Sequence, residues 1–282
     1  MKAVVELSKP RITQLVVLTA AAGYYLGSRG GFRLPTFLLT LLGTALVAAG
    51  TNALNQLRER DTDALMRRTR RRPLPSGRIS PREALAFAAV SATAGIGVLA
   101  WRVNLLTAAL AAATLVAYVW FYTSLKRRST LNTLIGAVPG ALPVLGGWTG
   151  AGGELGAPAL ALFWTLFLWQ LPHFLALAWI YREDYRTAQL RMLSVEDPDG
   201  RRTSRMALLY GVALLPVSLL PTIFGVTGQV YFYGALVLGL AYVVSAFLMV
   251  LDVNKRAGLV FLTSIIYLPA VLTLAVLDKV AT

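Results

Sequence analysis

The sequence contains no cysteine and one histidine, and only 14% of its 282 residues are charged. Without cysteine there is no disulfide framework and no thiolate metal site. A soluble domain carries roughly a quarter of its residues as Asp, Glu, Lys and Arg, so this shortage excludes water as the chain's main solvent. Acidic residues are scarcest, 13 against 27 basic ones. The few carboxylates therefore carry much of the information about chemistry.

Apolar residues are abundant, at 56% of the chain with a mean hydropathy of +0.63. A hydrocarbon core about 30 Å thick needs about 20 apolar residues in a helix. Nine runs qualify, at approximately 12–28, 36–57, 83–101, 104–122, 131–149, 158–181, 204–224, 229–251 and 257–277. The expected fold is all-α: a polytopic membrane protein with one domain over 1–282, its nine transmembrane helices around a central cavity opening to the cytoplasmic side. A net charge of +14 raises nucleic acid as a partner, but its distribution argues against one. With a cytoplasmic N-terminus, every Lys and Arg except Arg29, Arg33, Arg102 and Lys279 falls on the inner side. The basicity thus encodes topology in the cytoplasmic (inner) membrane. Ala20 to Ala22 weakly resembles a cleavage site. Cleavage would leave Arg29 and Arg33 at a new N-terminus, so the first run is read as a retained helix.

The densest chemistry lies between Asn52 and Gly77, where three carboxylates and seven arginines share 26 residues. Continuing the helix past Gly50 puts Asn55, Glu59 and Asp63 on one face, at about 3.6 residues per turn. Oxygens so spaced suit Mg²⁺, which is typically held by one or two carboxylates and substrate phosphates. Asp61 lies off that face and is an alternative ligand. Arg68 and Arg72 supply an anion-binding half. At the end of a membrane helix, the combination points to a diphosphate substrate reached from the lipid side. Pro73, Pro75 and Gly77 then forbid a long helix, and Ser80-Pro81 restarts one with Ser80 as N-cap.

Elsewhere, Lys9 and Arg11 flank Pro10 as headgroup-level anchors. An aromatic belt from Tyr118 to Tyr122 precedes Lys126 and Arg127, on the same side as the acids. The fifth run holds Gly136, Pro139, Gly140, Pro143, Gly146 and Gly147, breakers that line a cavity or allow close packing. The sixth carries His173 at membrane depth, then ends in a second acidic and basic loop with Glu183 and Asp184. The last three runs read as scaffold.

Together these motifs resemble the UbiA-type intramembrane prenyltransferases, whose signature is an Asn and two acids at four-residue spacing after the second helix. Asn55, Glu59 and Asp63 fit it, with Glu in place of the usual first Asp. Within that superfamily the chain is most similar to the protoheme IX farnesyltransferases, or heme O synthases. The similarity is carried by Lys9-Pro10-Arg11-Ile12-Thr13, Arg60-Asp61-Thr62-Asp63, Met66-Arg67-Arg68-Thr69, Arg72-Pro73-Leu74 and Tyr122-Thr123. Leu125-Lys126-Arg127, Asn132, Gly146-Gly147-Trp148, Pro172-His173-Phe174 and Glu183-Asp184-Tyr185 extend it. Departures are Gln189, Arg191 and Ser194, where that family usually has a Gly and two Pro, and Leu171 and Leu175 around Pro172-His173-Phe174.

The resemblance implies farnesyl diphosphate and heme b as substrates of heme O synthesis, with Mg²⁺ as cofactor. It also implies the lipid bilayer and the next enzyme of heme A synthesis as partners. Asn55, Glu59 and Asp63 would bind metal and diphosphate, and Glu183 with Asp184 would form a second metal cluster. Arg68, Arg72, Lys126 and Arg127 would hold the diphosphate, and Tyr122, Trp148 and Phe174 would face the allylic cation. His173 would contact heme, at the iron or near the vinyl group. The alternatives are the same chemistry on a quinone precursor or chlorophyll-type ring, and a transporter of an anionic substrate.

Overall fold

The computed structural model describes residues 2–280. Its elements are α1 (Lys2–Leu7), α2 (Pro10–Gly27), α3 (Leu34–Arg58), α4 (Arg60–Leu65), α5 (Pro81–Arg102), α6 (Leu105–Val116), a π-helical turn (Ala117–Tyr122), α7 (Thr123–Leu125), α8 (Asn132–Gly150), α9 (Ala157–Ile180), α10 (Arg182–Thr187), α11 (Leu193–Glu196), α12 (Arg201–Val217), α13 (Leu220–Ile223), α14 (Gln229–Leu251) and α15 (Val253–Leu277). Among the described residues, the β-type pairing is one isolated bridge between Thr227 and Lys279. The all-α expectation is met, because hydrocarbon offers no partner to a backbone N–H or C=O left open by its own helix.

Seven helices or continuous helix pairs are long and apolar enough to cross a membrane: α3, α5, α6 through α7, α9, α12 through α13, α14 and α15. The chain is a multi-pass membrane protein. Two more runs expected to span, α2 and α8, form helices of 18 and 19 residues. They are less apolar because α2 includes Arg11 and Gln14, and α8 begins at Asn132 and is rich in glycine.

Consecutive long helices lie side by side, and α15 returns to α2, so the bundle closes on itself. Of the seven, α9 is the most enclosed, with 61% of its central stretch buried against 22–39% in the others. That enclosure lets Gln170 and His173 sit at membrane depth. Its neighbour α8 meets α2 backbone to backbone. A Cβ on Gly147 would strike the Ala20 carbonyl, and one on Gly23 the Val144 carbonyl. Lipid supplies no hydrophobic drive between helices, so such close approach supplies the packing instead.

The expected cap forms at α5. Ser80 Oγ accepts from the Glu83 N–H at 3.2 Å, and the Glu83 carboxylate accepts from the Ser80 N–H at 2.8 Å. Beyond α15, Lys279 donates to the Tyr25 and Ser28 carbonyls at 2.7 and 2.6 Å, tying the last helix to the end of α2. Gly147→Val should force α2 and α8 apart at an overpacking cost of about 1–3 kcal/mol. Thermal unfolding in detergent should show the loss, while Gly97→Val, whose Cβ meets no atom within 4 Å, leaves the midpoint unchanged.

Candidate active site

The expected continuous helix through Asp63 is two helices. α3 ends at Arg58, and Glu59 takes φ −95° and ψ 5° before α4. The ladder survives the break, because the Glu59 N–H donates to the Asn55 carbonyl at 2.9 Å and the Asp63 N–H to the Glu59 carbonyl at 2.7 Å. Four-residue register therefore persists. Asn55, Glu59 and Asp63 all line one polar cavity of about 190 Å³.

Each of the three meets a basic residue from another segment. Lys126 Nζ, just past α7, lies 2.6 Å from Glu59 Oε1, and Arg72 Nη1 lies 2.7 Å from Asp63 Oδ2. Lys9 Nζ donates to Asn55 Oδ1 at 2.7 Å, while Asn55 Nδ2 donates to Thr123 Oγ1 at 3.2 Å. Lys9 reaches inward because it adopts the left-handed conformation, φ 48°, before Pro10 opens α2. A lysine there is uncommon and strained, a feature that concentrates at functional sites.

Burial pushes Glu59 toward the neutral form, but the charges of Lys126 and Lys9 prevail and hold it below the usual carboxylate range. Burial likewise disfavours charge on Lys126, and Glu59 overcomes it, raising the ammonium well above its ordinary value. For Lys9, burial and the nearby Arg72 charge win, and its pKa falls to about 7.

An apolar cavity of about 410 Å³ adjoins the polar one, and Ile12, Tyr118, Phe174 and Leu177 line both. The breakers of α8 form part of its wall: Gly136, Pro139, Gly140, Pro143 and Gly146 all face it. His173 and Gln170 face it from α9. The π-helical turn brings Tyr118 to the junction and Tyr122 to the polar cavity, with their rings 5.1 Å apart. The turn is held by Arg58, which donates to the Val119 carbonyl at 2.9 Å, and by Thr123, which donates to the Tyr118 carbonyl at 2.8 Å. Such turns are rare and recur at functional sites.

The structure thus gathers Asn55, Glu59, Asp63, Arg68, Arg72, Lys126, Tyr122, Phe174 and His173 around two joined cavities. Five expected site residues stand elsewhere. Asp61 is 81% exposed and paired with Arg60, because it points off the shared face. Arg127 is exposed. Trp148 is buried and donates to the Glu154 carbonyl at 2.9 Å, away from both cavities. Glu183 is 68% exposed and bound by Arg186 one turn on, so local pairing turns it outward. Asp184 accepts from the Arg68 backbone N–H at 3.3 Å and props the 66–72 loop rather than lining the cavity.

The lining residues that sequence reasoning missed include Lys9, Tyr118 and Tyr185. Lys9 was expected among the headgroups, and its signal was the lysine immediately before a helix-opening proline on the same side as the acids. The departing segment is well integrated. Gln189 takes φ 54°, a conformation that favours the glycine expected there. The Arg191 N–H donates to the Lys126 carbonyl at 2.8 Å, and Ser194 Oγ to the Ala178 carbonyl at 2.8 Å.

Asp63 Oδ1 is buried without a hydrogen-bond partner. Such an atom is costly unless a ligand satisfies it. Among the described residues, no group of three or more His, Asp or Glu side chains could enclose a metal. Two carboxylates and an amide remain, the donor set that fits Mg²⁺ completed by phosphate oxygens. Cations and carboxylates over an apolar cavity within a helical bundle form a site whose chemistry suits an amphiphilic anion.

Comparison with known proteins agrees. Residues 16–268 match the UbiA prenyltransferase family, and the chain belongs to that family. Similar curated proteins are protoheme IX farnesyltransferases. That of Solibacter usitatus is 44% identical and covers 99% of both chains. That of Koribacter versatilis is 42% identical over 97% of this chain and 92% of its own. The mitochondrial protein of Arabidopsis thaliana is 38% identical over 98% of this chain and 64% of its own. Among solved structures, digeranylgeranylglyceryl phosphate synthase superposes with a TM-score of 0.83 at 19% identity, covering 98% of this chain and 97% of its own. A UbiA homolog from Archaeoglobus fulgidus bound to GPP and Mg²⁺ gives 0.71 at 16% identity, covering 97% and 99%. These likenesses show the fold.

Lys126→Met should leave Glu59 buried without its cation and cost about 3–5 kcal/mol. Adding Glu59→Gln should recover much of that loss, a coupling that a double-mutant cycle of unfolding free energies in detergent measures directly.

Proposed function

We propose that the chain transfers the farnesyl group of farnesyl diphosphate to a vinyl group of heme b, yielding heme O. The observation that carries this reading is a cation-lined polar cavity joined to an apolar one, in a chain whose full-length relatives are protoheme IX farnesyltransferases. The donor is amphiphilic in the same sense. Its diphosphate suits the cavity bounded by Lys9, Arg68, Arg72 and Lys126, and its isoprenoid chain suits the apolar side.

The carbon–oxygen bond to the diphosphate breaks, and the leaving group takes the electron pair. Lys126 and Arg72 pair with the acids and line the cavity that would take the diphosphate, where charge-assisted hydrogen bonds would stabilise the developing anion. Tyr118 and Phe174 at the junction, with Tyr122 beside them in the polar cavity, stabilise the allylic cation by about 0.5–2 kcal/mol each. The terminal vinyl carbon of heme bonds to that cation, water adds to the inner vinyl carbon, and one proton leaves. Asn55, Glu59 and Asp63 are the residues that would hold Mg²⁺, whose Lewis acidity would help neutralise the diphosphate.

The same reading includes nine spans in the cytoplasmic (inner) membrane, with the N-terminus and polar cavity cytoplasmic. It is supported by contacts at opposite ends of the bundle. Lys9, Glu59, Lys126 and Tyr185 share one cavity, whereas Lys279 meets Ser28 at the far end of α2.

Incubating purified protein with heme b, farnesyl diphosphate and Mg²⁺ should yield a heavier heme and free pyrophosphate; absence of both would overturn the reading. Asp63→Asn should reduce turnover about 100-fold or more while the protein stays folded, and wild-type rates would remove Asp63 from the site. Excess EDTA should stop the reaction and added Mg²⁺ restore it, as pyrophosphate release reports.

A further inference from the structure

His173, the one histidine, pairs with nothing in the polar cavity. It lines the apolar cavity, its ring between Trp169 (centroids 5.5 Å, planes at 27°) and Phe261 (4.9 Å, 30°). Both faces are covered, so only the ring edge is left for bonding. Nδ1 lies 2.6 Å from Ser264 Oγ on α15. That hydroxyl has one proton, and the Phe261 carbonyl accepts it at 2.5 Å. A carbonyl donates nothing, so Ser264 Oγ is the acceptor toward the imidazole. Neutral His173 therefore carries its hydrogen on Nδ1 and its lone pair on Nε2.

Nε2 has no hydrogen-bond partner among the described residues. It is not among the enclosed atoms that lack a partner, and His173 lines the cavity, so that lone pair is open to a ligand there. The arrangement is also rigid. Trp169 Nε1 donates to the Ser264 carbonyl at 2.8 Å, pinning α15 to α9 one turn before His173, and the Tyr242 hydroxyl donates to the Trp169 carbonyl at 3.1 Å, pinning α14 there too.

We propose that Ser264 is a positioning residue that fixes the Nδ1–H tautomer of His173, so that Nε2 ligates the iron of the porphyrin acceptor. The proposal rests on the reading of heme as acceptor. Metal-ligating histidines almost always donate their second ring N–H to an oxygen partner, which sets the tautomer and raises the basicity of the ligating nitrogen. The chain from His173 through Ser264 to the Phe261 carbonyl is such a partner. With no cysteine and no second histidine in the sequence, Nε2 is the one imidazole or thiolate donor available to a porphyrin iron.

Detergent-purified wild type, His173→Ala, Ser264→Ala and Ser264→Thr are titrated with heme b and, in parallel, with metal-free protoporphyrin IX. Their thermal unfolding is checked first. His173→Ala should lose the histidine-ligated absorption spectrum. Ser264→Ala should keep it but bind heme about 10- to 100-fold more weakly. Its ferrous iron–histidine stretch should fall in frequency, and Ser264→Thr should restore both affinity and frequency. Affinity for the metal-free porphyrin should be equal in all four. An unchanged spectrum in His173→Ala, or equal weakening toward both porphyrins in Ser264→Ala, would overturn the proposal while the acceptor reading stands. Failure of wild type to bind heme at all would overturn both.

Discussion

A carboxylate taken out of water costs several kcal/mol unless a cation accompanies it and its remaining lone pairs are met. This chain places Glu59 and Asp63 at the buried end of a membrane helix, and much of the architecture around the polar cavity follows from supplying their partners. Lys126 comes from the end of α7, Arg72 from the loop after α4, and Lys9 from the turn before α2, where it meets Asn55. Three separate segments converge on the end of α3 for one electrostatic reason. Each pair is short and largely enclosed, while Asp63 Oδ1 has no hydrogen-bond partner.

The second constraint is the solvent. Lipid satisfies no backbone group and offers little drive for helices to associate, so α2 and α8 touch through Gly23 and Gly147. The glycines and prolines of α8 leave space on its other side, where Gln170 supplies a donor to the Ala137 carbonyl at 3.3 Å. Close packing and cavity formation are two outcomes of the same small residues. The enclosed α9 then presents its polar side chains to that space.

Most of the architecture was legible in the sequence because hydropathy is a strong signal over 20 residues. The run read at 229–251 coincides with α14, and the Ser80 cap formed as its local chemistry dictates. The four-residue spacing of Asn55, Glu59 and Asp63 held through a helix break, since the hydrogen bonds that set the spacing survived. What the sequence did not convey is which way single side chains turn. Glu183 and Asp61 each have an arginine close in sequence, and local pairing drew them outward, an outcome that spacing does not encode. Lys9 went inward because of one left-handed residue, and His173 gained its partner from α15, 91 residues away.

The π-helical turn at Ala117–Tyr122 has a consequence for chain length. A π turn takes up one residue more than the α-helix around it, whereas a residue lost from the α-helical segment before it would rotate everything beyond by about 100°. Lys126 would swing away from Glu59, and the Arg191 segment that bonds its carbonyl would lose its seat. Substitutions alter one side chain each, but a single deletion within α6 would disconnect the cation from its acid. The spacing between the start of α6 and Lys126 is therefore a fixed length, and lineages that preserve the Lys126–Glu59 pair are expected to vary in residue type across α6 far more than in residue number.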